Sequence, residues 1–358
     1  MSIEERFKVL HEFVKPARTN LKSNVWDYLM GGSETETTYK RNRQALDTLA
    51  LCPRVLRNVE TIETGTEVLG QKLRLPVILA PIGSFQDIVP EGGVAPAKAA
   101  ARANVLHMLS SSCQPSMEEV AASIDYPKIF QLYVRGDTAW VDDMISRAIA
   151  SGYFALCLTV DLDYYGRRER DIAKRHLPTA RLANTGDQHQ ARFSWPDIER
   201  IRSKFDIPLI LKGIAMPEDA VRAVEHGVAC VYVSNHGGRQ LDHGLGAMAC
   251  LPDIVEAVAG RAEIIVDGGF MRGTDIVKAL ALGANAVGIG RLQGLAAAAA
   301  GEDGMVRMVE ILTDEVERCL GLLGVTSFND LDSSYVKTAP PVTEAGAFSA
   351  FPLLDEGY

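Results

Sequence analysis

The amino-acid sequence predicts an α/β fold, a (β/α)8 TIM barrel with an N-terminal helical segment and a long lid loop after its fourth strand. Three observations support this fold class. Eight apolar segments alternate with stretches rich in Ala, Glu and Arg, as strands alternate with helices in parallel barrels. The apolar segments are largely uninterrupted, which is typical of strands buried on both faces. An open doubly wound sheet rarely contains so many alternations, so a closed barrel is favoured.

The segment before the barrel, residues 1–74, is predicted to contain helices followed by a hairpin. Apolar residues recur at helical spacing over residues 2–51, with Phe7 and Leu10 on one stripe. Residues 53–74 alternate in polarity and are rich in turn formers. We therefore expect a small hairpin there that closes the bottom of the barrel.

The barrel itself is predicted over residues 75–323, within a single domain that spans residues 1–358. The predicted strands cover residues 75–81, 105–111, 128–134, 154–161, 208–214, 230–236, 263–269 and 286–292. The connection after the fourth strand, residues 163–207, is longer than a usual barrel loop and includes a polar run at 184–190. We expect a lid there, and a C-terminal tail over residues 324–358.

The composition restricts the classes of partner. The 358 residues are 47% hydrophobic and 23% charged, which is ordinary for a globular protein with an ample core. A formal net charge of -9 disfavours nucleic acid and anionic membranes, so small molecules are the expected ligands. The six cysteines lack CxxC spacing, so we expect reduced thiols and no metal site. The sequence shows neither a leader nor an apolar run long enough for a bilayer, which predicts a cytoplasmic protein.

One stretch carries the strongest indication of function, namely Ser-Asn-His-Gly-Gly-Arg-Gln-Leu-Asp at residues 234–242. It follows the apolar run 229–233, so His236 and Arg239 lie where a buried strand ends. Parallel α/β proteins bind ligands at such ends. A titratable histidine beside a permanent cation indicates general-base chemistry on an anionic substrate. Because a histidine at a strand end is often only a packing residue, this motif alone leaves both interpretations open.

Polar residues also follow most of the other predicted strands. Gln131 and Tyr133 lie on the third strand, Asp161 ends the fourth, Lys212 lies near the end of the fifth and Asp267 on the seventh. Each has a structural explanation when taken alone: Lys212 as a surface cation, Gln131 as a satisfied core amide, or Asp267 as a helix cap. Because all of them converge on one rim of the barrel, a shared active site is the better interpretation.

Two glycine-rich turns follow the seventh and eighth strands, at residues 267–269 and 288–291. Barrels commonly bind phosphate at this place through backbone N–H groups, and glycine lets the backbone approach the anion. The second turn is not a dinucleotide fingerprint, because the GxGxxG context is missing. The phosphate of a mononucleotide is therefore favoured.

These motifs together resemble the FMN-dependent 2-hydroxy acid oxidases and dehydrogenases, the family of glycolate oxidase, lactate oxidase and mandelate dehydrogenase. The resemblance covers residues 25–323 and rests first on the stretch 234–242. The other matching motifs are Gln131-Leu132-Tyr133, Thr159-Val160-Asp161, Gly166-Arg167-Arg168, Leu211-Lys212-Gly213 and Asp267-Gly268-Gly269. The resemblance implies a noncovalent FMN and the oxidation of an L-2-hydroxy acid to the 2-oxo acid.

The resemblance also implies roles for the residues around the substrate. His236 is the expected base, which takes a proton while two electrons pass to flavin N5, and Asp161 stabilises its imidazolium. Arg168 and Arg239 are expected to clamp the substrate carboxylate. The expected substrate contacts are Tyr28, Ser112, Tyr133, Tyr165, Arg168, His236 and Arg239, with Tyr133, Asp161, Lys212, His236 and Arg239 as the catalytic set.

For the cofactor, the resemblance implies that Lys212 lies near N1 and O2 of the flavin, where a fixed cation favours the anionic reduced ring. The phosphate is expected on the turns 267–269 and 288–291. The full set of expected FMN contacts is Pro81, Ile82, Gly83, Ser110, Gln131, Thr159, Lys212, Ser234, Asp267, Gly268, Gly269, Arg272, Gly290 and Arg291.

The chain departs from the family pattern at several positions. Met271 stands where the family often has an arginine, and Arg272 is the residue that could supply the phosphate contact instead. Gly83 stands where an alanine beside the flavin is usual. Ser112 replaces a tryptophan of glycolate oxidase, and Tyr165 replaces a leucine. We therefore hypothesise a larger, partly polar pocket for a 2-hydroxy acid bigger than glycolate or lactate, whose aryl or extended side chain packs on Tyr165.

Three functions are consistent with these motifs. An oxidase would pass the electrons to oxygen, whereas a dehydrogenase would pass them to a quinone or a protein. The sequence contains neither a fused haem domain nor an apolar insert in residues 163–207, which favours the oxidase. A flavin-binding barrel without catalysis is disfavoured, because the whole predicted catalytic set is present. The resemblance further suggests a homotetramer.

Overall fold

The computed structural model describes residues 1–179 and 189–357. Residues 180–188, which include most of the predicted polar run, and residue 358 lie outside the described residues. Among the described residues, eight parallel strands close into a barrel, and helices cover its outside. The predicted barrel is confirmed.

The strands are numbered in chain order. Three short strands precede the barrel: β1 (Leu49–Leu51), β2 (Thr66–Val68) and β3 (Gln71–Leu73). The barrel strands are β4 (Val77–Leu79), β5 (Leu106–Ser110), β6 (Ile129–Leu132), β7 (Ala155–Thr159), β8 (Leu209–Ile214), β9 (Cys230–Val233), β10 (Glu263–Asp267) and β11 (Ala286–Ile289). Each pairs in parallel with the next along the chain, and β11 pairs with β4 to close the barrel. A last strand, β12 (Val336–Thr338), lies in the tail.

Most barrel strands end a few residues before their predicted limits, and the backbone explains why. His236 has a φ of +57° and Gly268 a φ of +107°, so neither residue can continue a strand. The residues after the strands therefore lie on turns at the mouth of the barrel. Several of these residues, among them His236 and Gly268, line the space at the mouth of the barrel.

The bottom of the barrel is closed by apolar side chains. Val68 and Leu73 of the β2–β3 hairpin join the buried cluster inside the barrel, which includes Ile78. The backbone N–H of Leu69, in the hairpin turn, donates to both carboxylate oxygens of Glu263, at 2.8 and 3.0 Å. Glu263 begins β10, so this contact fixes the hairpin at the amino ends of the strands. The hairpin thus occupies residues 66–73, the last part of the predicted range 53–74.

The N-terminal segment is helical in several short pieces. The helices are Ile3–Arg6, Val14–Asn20, Ser23–Met30 and Thr37–Asp47, with a 3₁₀ turn at Leu10–Phe13. Phe7 and Leu10, the predicted stripe, are fully buried. The expectation of helix up to residue 51 was wrong, because Leu49–Leu51 pairs in antiparallel fashion with Val336–Thr338 of the tail. A helical pattern in the local sequence could not reveal a partner so far along the chain.

The remaining helices surround the barrel or belong to the predicted lid. Those packed around the barrel are Val94–Ala103, Met117–Ala122, Thr138–Ala150, Trp195–Lys204, Pro217–Glu225, Ala247–Val258, Gly273–Ala281 and Arg291–Leu323, the last kinked at Ala300 and Gly301. The predicted lid, residues 163–207, also contains Glu169–Ala173 and His189–Arg192. The helix Trp195–Lys204, which leads into β8, occupies the last part of this range. The connection between β7 and that helix is therefore shorter than the predicted lid.

The cysteines agree with the expectation of reduced thiols. All six are free, and Cys157 and Cys230 are buried in β7 and β9. Burial raises the pKa of the Cys157 thiol, so it stays protonated and inert. Within residues 1–179 and 189–357, no helix has the length and apolar character needed to cross a membrane.

Candidate active site

A cavity of about 580 Å³ opens at the carboxyl ends of the barrel strands. Its volume is typical of small-molecule sites. The predicted site residues that line it are Tyr28, Pro81, Ile82, Gly83, Ser112, Tyr133, Tyr165, Arg168, Lys212, His236, Arg239, Asp267, Gly268, Gly269, Gly290 and Arg291. The fold thus brings most of the predicted set together around one space.

His236 lies on the turn after β9, between Asp161 and Tyr133. Its Nδ1 is 2.9 Å from Oδ1 of Asp161, and its Nε2 is 3.3 Å from the hydroxyl of Tyr133. Burial lowers the pKa of His236, and the opposing effect of the Asp161 carboxylate is smaller. The imidazole is therefore neutral at neutral pH. With its Nδ1–H donated to Asp161, it can accept a proton at Nε2.

Asp161 is ionised beside this histidine. Burial alone would raise the pKa of Asp161. The positive charge that His236 carries in the acidic range where Asp161 titrates, together with its hydrogen bond, lowers the pKa of Asp161 below its usual value. One carboxylate oxygen of Asp161 bonds His236, while Oδ2 is buried and has no hydrogen bond among the described residues. A carboxylate in this position favours the imidazolium that forms when His236 takes up a proton.

Two arginines, Arg168 and Arg239, line the cavity near His236. Arg239 Nη1 donates to the backbone oxygen of Tyr28 at 2.6 Å, and its guanidinium lies 4.8 Å from the Tyr28 ring centroid. Arg168 is buried, and its guanidinium lies 4.2 Å from the Tyr165 ring centroid. Burial, followed by the charge of Arg168, lowers the pKa of Arg239. A carboxylate ligand would relieve the repulsion between these two cations.

Two of the predicted tyrosines, Tyr28 and Tyr133, have protonated hydroxyls. Tyr28 donates its O–H to the carbonyl oxygen of Gly83 at 2.9 Å. Burial raises the pKa of both Tyr28 and Tyr133, so both phenols keep their protons at neutral pH. Tyr28 already donates its proton to Gly83, and the Tyr133 hydroxyl contacts the unprotonated Nε2 of His236, so each hydroxyl oxygen keeps lone pairs that can accept a hydrogen bond from a ligand.

Lys212 lies at the floor of the cavity, where Ser234 and Asp267 hold it. Its Nζ donates to Oγ of Ser234 at 2.9 Å and lies 3.4 Å from Oδ2 of Asp267. Burial disfavours the charged amine, but the carboxylates of Asp267 and Asp161 raise the pKa of Lys212 above its usual value. Lys212 is therefore a fixed positive charge.

Four predicted cofactor residues are buried and do not line the cavity: Ser110, Gln131, Thr159 and Ser234. Gln131 Nε2 donates to Oγ1 of Thr159 at 2.9 Å. The side-chain oxygen of Gln131 is buried without a hydrogen bond in the described part of the chain. An unpaired buried acceptor costs about 1–3 kcal/mol, so a ligand N–H at this position would be stabilising.

The two glycine-rich turns line the cavity as a cradle beside a buried cation, and the space is open at Gly290. Gly268 and Gly269 have φ of +107° and +86°, and a Cβ at Gly290 would meet no atom within 4 Å. Arg291 donates to two backbone carbonyls, while its Nε is buried without a partner among the described residues. Burial lowers the pKa of Arg291 to about 10, so it is still charged at neutral pH. This set fits the phosphate of a mononucleotide.

The structure does not bring Arg272 to the cavity. Its guanidinium pairs with Glu315, with Nη2 2.8 Å from Oε1, and its backbone N–H donates to Asp275 at the start of the next helix. Met271 lines the cavity instead. The attraction of Glu315 therefore turns Arg272 away, and it does not replace the phosphate contact missing at Met271.

Sequence reasoning missed three residues near the site. Asn42 exchanges two side-chain hydrogen bonds with Asn235, of 2.9 and 2.8 Å, and so holds the turn that carries His236. Gln190 bonds the backbone of Val134 and that of Thr159, and Arg135 lines the cavity. Only Gln190 could have been found, because it lies in the polar run 184–190.

Comparison with known proteins identifies the family. The family model described as FMN-dependent dehydrogenase matches residues 17–338. The chain belongs to this family. An L-lactate oxidase of Nostoc sp. is 40% identical over 357 residues, covering 91% of this chain and 97% of that protein. A peroxisomal (S)-2-hydroxy-acid oxidase of Oryza sativa subsp. japonica is 41% identical over 350 residues, covering 92% and 95% respectively.

Solved structures of family members agree. A mandelate oxidase with benzoyl-formic acid has a TM-score of 0.87 at 38% identity, covering 93% of this chain and 99% of that chain. A mutant of the active chimera of (S)-mandelate dehydrogenase has a TM-score of 0.87 at 32% identity, covering 92% and 99%. The family, the barrel fold and the FMN cofactor predicted from the sequence are confirmed.

Proposed function

We propose that this family member is an FMN-dependent oxidase that converts an L-2-hydroxy acid to the 2-oxo acid. The observation that carries the proposal is a neutral His236 held between Asp161 and Tyr133, in the same cavity as Arg168 and Arg239. A base beside a carboxylate-binding pair is the arrangement that a 2-hydroxy acid requires.

His236 takes a proton from the substrate at Nε2. Asp161 accepts the hydrogen bond from Nδ1 and stabilises the imidazolium, since an ionised carboxylate lies 2.9 Å away. A positioned base of this kind typically accelerates a reaction about 100-fold to 10,000-fold. FMN, when bound, accepts the two electrons that leave the substrate.

Arg168 and Arg239 bind the substrate carboxylate. Arg168 is a buried cation and Arg239 a half-buried one, and the hydrogen bonds of Arg239 within the described residues go to backbone carbonyls. Their planar guanidinium groups match a carboxylate in a way that lysine cannot. Tyr28 and Tyr133 line the same cavity, and their hydroxyl oxygens orient the substrate by accepting hydrogen bonds.

FMN would be held by residues from several strand ends. Lys212 would contact the polar edge of the ring, supported by Ser234 and Asp267. The unpaired oxygen of Gln131 would accept a ring N–H. The turns 267–269 and 288–291 would hold the phosphate, with Arg291 as its cation. The other proposed contacts are Pro81, Ile82, Gly83, Ser110 and Thr159, and Arg272 is not among them.

We infer that oxygen is the electron acceptor. The L-lactate oxidase and the peroxisomal (S)-2-hydroxy-acid oxidase, each about 40% identical to the chain, support this choice. The alternative is a dehydrogenase that passes electrons to a quinone or a protein. The observation that supports this alternative is the structural similarity to (S)-mandelate dehydrogenase, with a TM-score of 0.87.

One experiment tests both parts of the proposal. The holoenzyme is mixed anaerobically with a panel of L-2-hydroxy acids while the flavin absorbance is followed, and air is then admitted. We expect bleaching by at least one acid and recovery of the colour in air. If no acid bleaches the flavin, the proposed activity fails; if bleaching occurs but air restores the colour only slowly, the dehydrogenase alternative is supported.

The remaining inferences concern location and assembly. We infer a cytoplasmic protein, a location in which the six free cysteines would stay reduced. Because the net charge is -9, we infer no membrane or nucleic-acid partners. We also infer that the chain acts as one domain and assembles as a homotetramer. Light scattering of the holoenzyme tests the assembly, and a monomer would contradict it.

A further inference from the structure

Arg135 is a cation in the cavity to which the proposed reaction gives no role. It follows β6, two residues after Tyr133, and is half-buried. Its Nη2 donates to the hydroxyl of Ser112. The wall that was expected to be open at Ser112 is therefore occupied by a guanidinium group. This changes the chemistry expected of the substrate side chain.

Arg135 has no counter-charge among the residues that the structure describes. No carboxylate of that part of the chain forms an ion pair with it, and the groups that influence its charge are the phenols of Tyr133 and Tyr28. Burial lowers the pKa of Arg135, as expected for a cation that has lost part of its hydration. A partly dehydrated charge without a partner is unfavourable, and an anionic ligand would relieve it.

Among the described residues, the other charges at the cavity have partners or roles, with the exception of Asp163. The charged lining residues are Arg135, Asp163, Arg168, Lys212, Arg239, Asp267 and Arg291. Asp267 pairs with Lys212, Arg291 faces the phosphate cradle, and Arg168 and Arg239 serve one carboxylate. Burial raises the pKa of Asp163, which forms no ion pair within the described residues. Within the described part of the chain, Arg135 is therefore the one cation at the cavity without a partner or a proposed role.

We propose that the substrate is an L-2-hydroxy acid with a second carboxylate on its side chain, and that Arg135 and Ser112 bind this carboxylate. The proposal rests on the proposed function. Arg135 offers N–H groups besides the one donated to Ser112, and the Ser112 hydroxyl keeps its own proton for donation. Tyr133 contacts His236 on one side, while Arg135 lies two residues further along the same segment. One substrate could thus span from the base to Arg135.

The first test compares dicarboxylic acids with neutral acids of the same chain length and with one larger aromatic acid. We measure kcat/KM of the holoenzyme for L-malate and L-2-hydroxyglutarate against L-2-hydroxybutanoate, L-2-hydroxypentanoate and L-3-phenyllactate. We expect the dicarboxylates to be favoured about 10-fold to 100-fold, the range of one charge-assisted hydrogen-bond contact. A preference for the neutral or the aromatic acids overturns the proposal.

Variants show whether Arg135 sets that preference. Arg135→Gln should reduce the ratio of dicarboxylate to neutral acid about 10-fold to 100-fold, and Arg135→Lys should reduce it less because the charge remains. Arg167→Gln is the matched control, since Arg167 is exposed and pairs with Glu169 outside the cavity. It should leave the ratio unchanged. An unchanged ratio in Arg135→Gln also overturns the proposal.

A binding measurement separates the proposal from the proposed function. The melting temperature of the holoenzyme is followed with 2-oxoglutarate and with 2-oxopentanoate, since a ligand stabilises the folded state by mass action. We expect the larger increase with 2-oxoglutarate in the wild type and equal increases in Arg135→Gln. If small 2-hydroxy acids bleach the flavin but 2-oxoglutarate gives no additional increase, only the substrate class fails. If no acid bleaches the flavin, the proposed function fails.

Discussion

The two ends of the barrel are built from the same eight strands but differ in almost every physical respect. At the amino ends, Val68, Leu73 and Ile78 are buried in an apolar cluster under the β2–β3 hairpin. At the carboxyl ends, the backbone is left-handed at His236, and buried polar atoms such as Oδ2 of Asp161 have no hydrogen bond among the described residues. Apolar side chains are closely packed at the bottom, whereas buried polar atoms at the mouth lack hydrogen bonds among the described residues. Stability and ligand binding are thus assigned to opposite ends.

The largest expected effect is at the mouth. His236→Gln should slow flavin reduction about 100-fold to 10,000-fold while FMN stays bound, because the side chain acts as a base and does not hold the cofactor. Anaerobic stopped-flow reduction measures the rate, and the absorbance of the purified protein measures the FMN content. Reduction within a few-fold of wild type would remove His236 from that role.

At the bottom, Leu73→Ala should reduce the free energy of unfolding by about 2–5 kcal/mol and leave kcat unchanged, since it creates a cavity far from the site. Urea denaturation of the holoenzyme measures the change. Lys72→Ala on the same strand is the control, because Lys72 is exposed, and it should change stability by less than about 0.5 kcal/mol. A large loss of kcat in Leu73→Ala would show that the two ends are not independent.

At the mouth again, Met271→Arg should tighten FMN binding by about 1.5–3 kcal/mol, the value of a charge-assisted hydrogen bond. Met271 lines the cavity, whereas Arg272 is engaged by Glu315. Titration of the apoprotein with FMN gives the dissociation constants. Equal or weaker binding in the variant would mean that residue 271 does not face the phosphate.

The pH dependence is a smaller effect that sharpens the comparison. Burial lowers the pKa of His236, and the base must be neutral, so kcat/KM should be constant near neutral pH and fall only on acidification below the ordinary histidine value of about 6.5. Asp161→Asn removes the carboxylate that raises this pKa, so the midpoint should move to still lower pH. Profiles of kcat/KM measure both midpoints, and a wild-type midpoint above 6.5 would contradict the assignment.

The sequence predicted features that depend on local pattern. Continuous apolar runs located the strands, and the polar residues after them located the mouth, because parallel strands place their carboxyl ends on one rim. It failed where a distant segment decides the outcome. Residues 49–51 form a strand because residues 336–338 pair with them, and Arg272 turns outward because Glu315 attracts it. Arg135 carries no local signal, since its importance depends on the absence of a partner carboxylate among the residues that the structure describes.

The left-handed turn after β9 connects the proposed activity of the protein with its stability. His236, Gly237 and Gly238 have φ of +57°, +65° and +74°, and only the first of the three has a side chain. A non-glycine residue in this conformation costs about 1–2 kcal/mol, which glycine avoids. His236→Gly should therefore give an inactive protein whose backbone strain at this turn is relieved, whereas a β-branched residue there should lose both activity and stability. The base occupies a position whose backbone conformation favours glycine. A histidine at this residue therefore supports activity but lowers thermal stability.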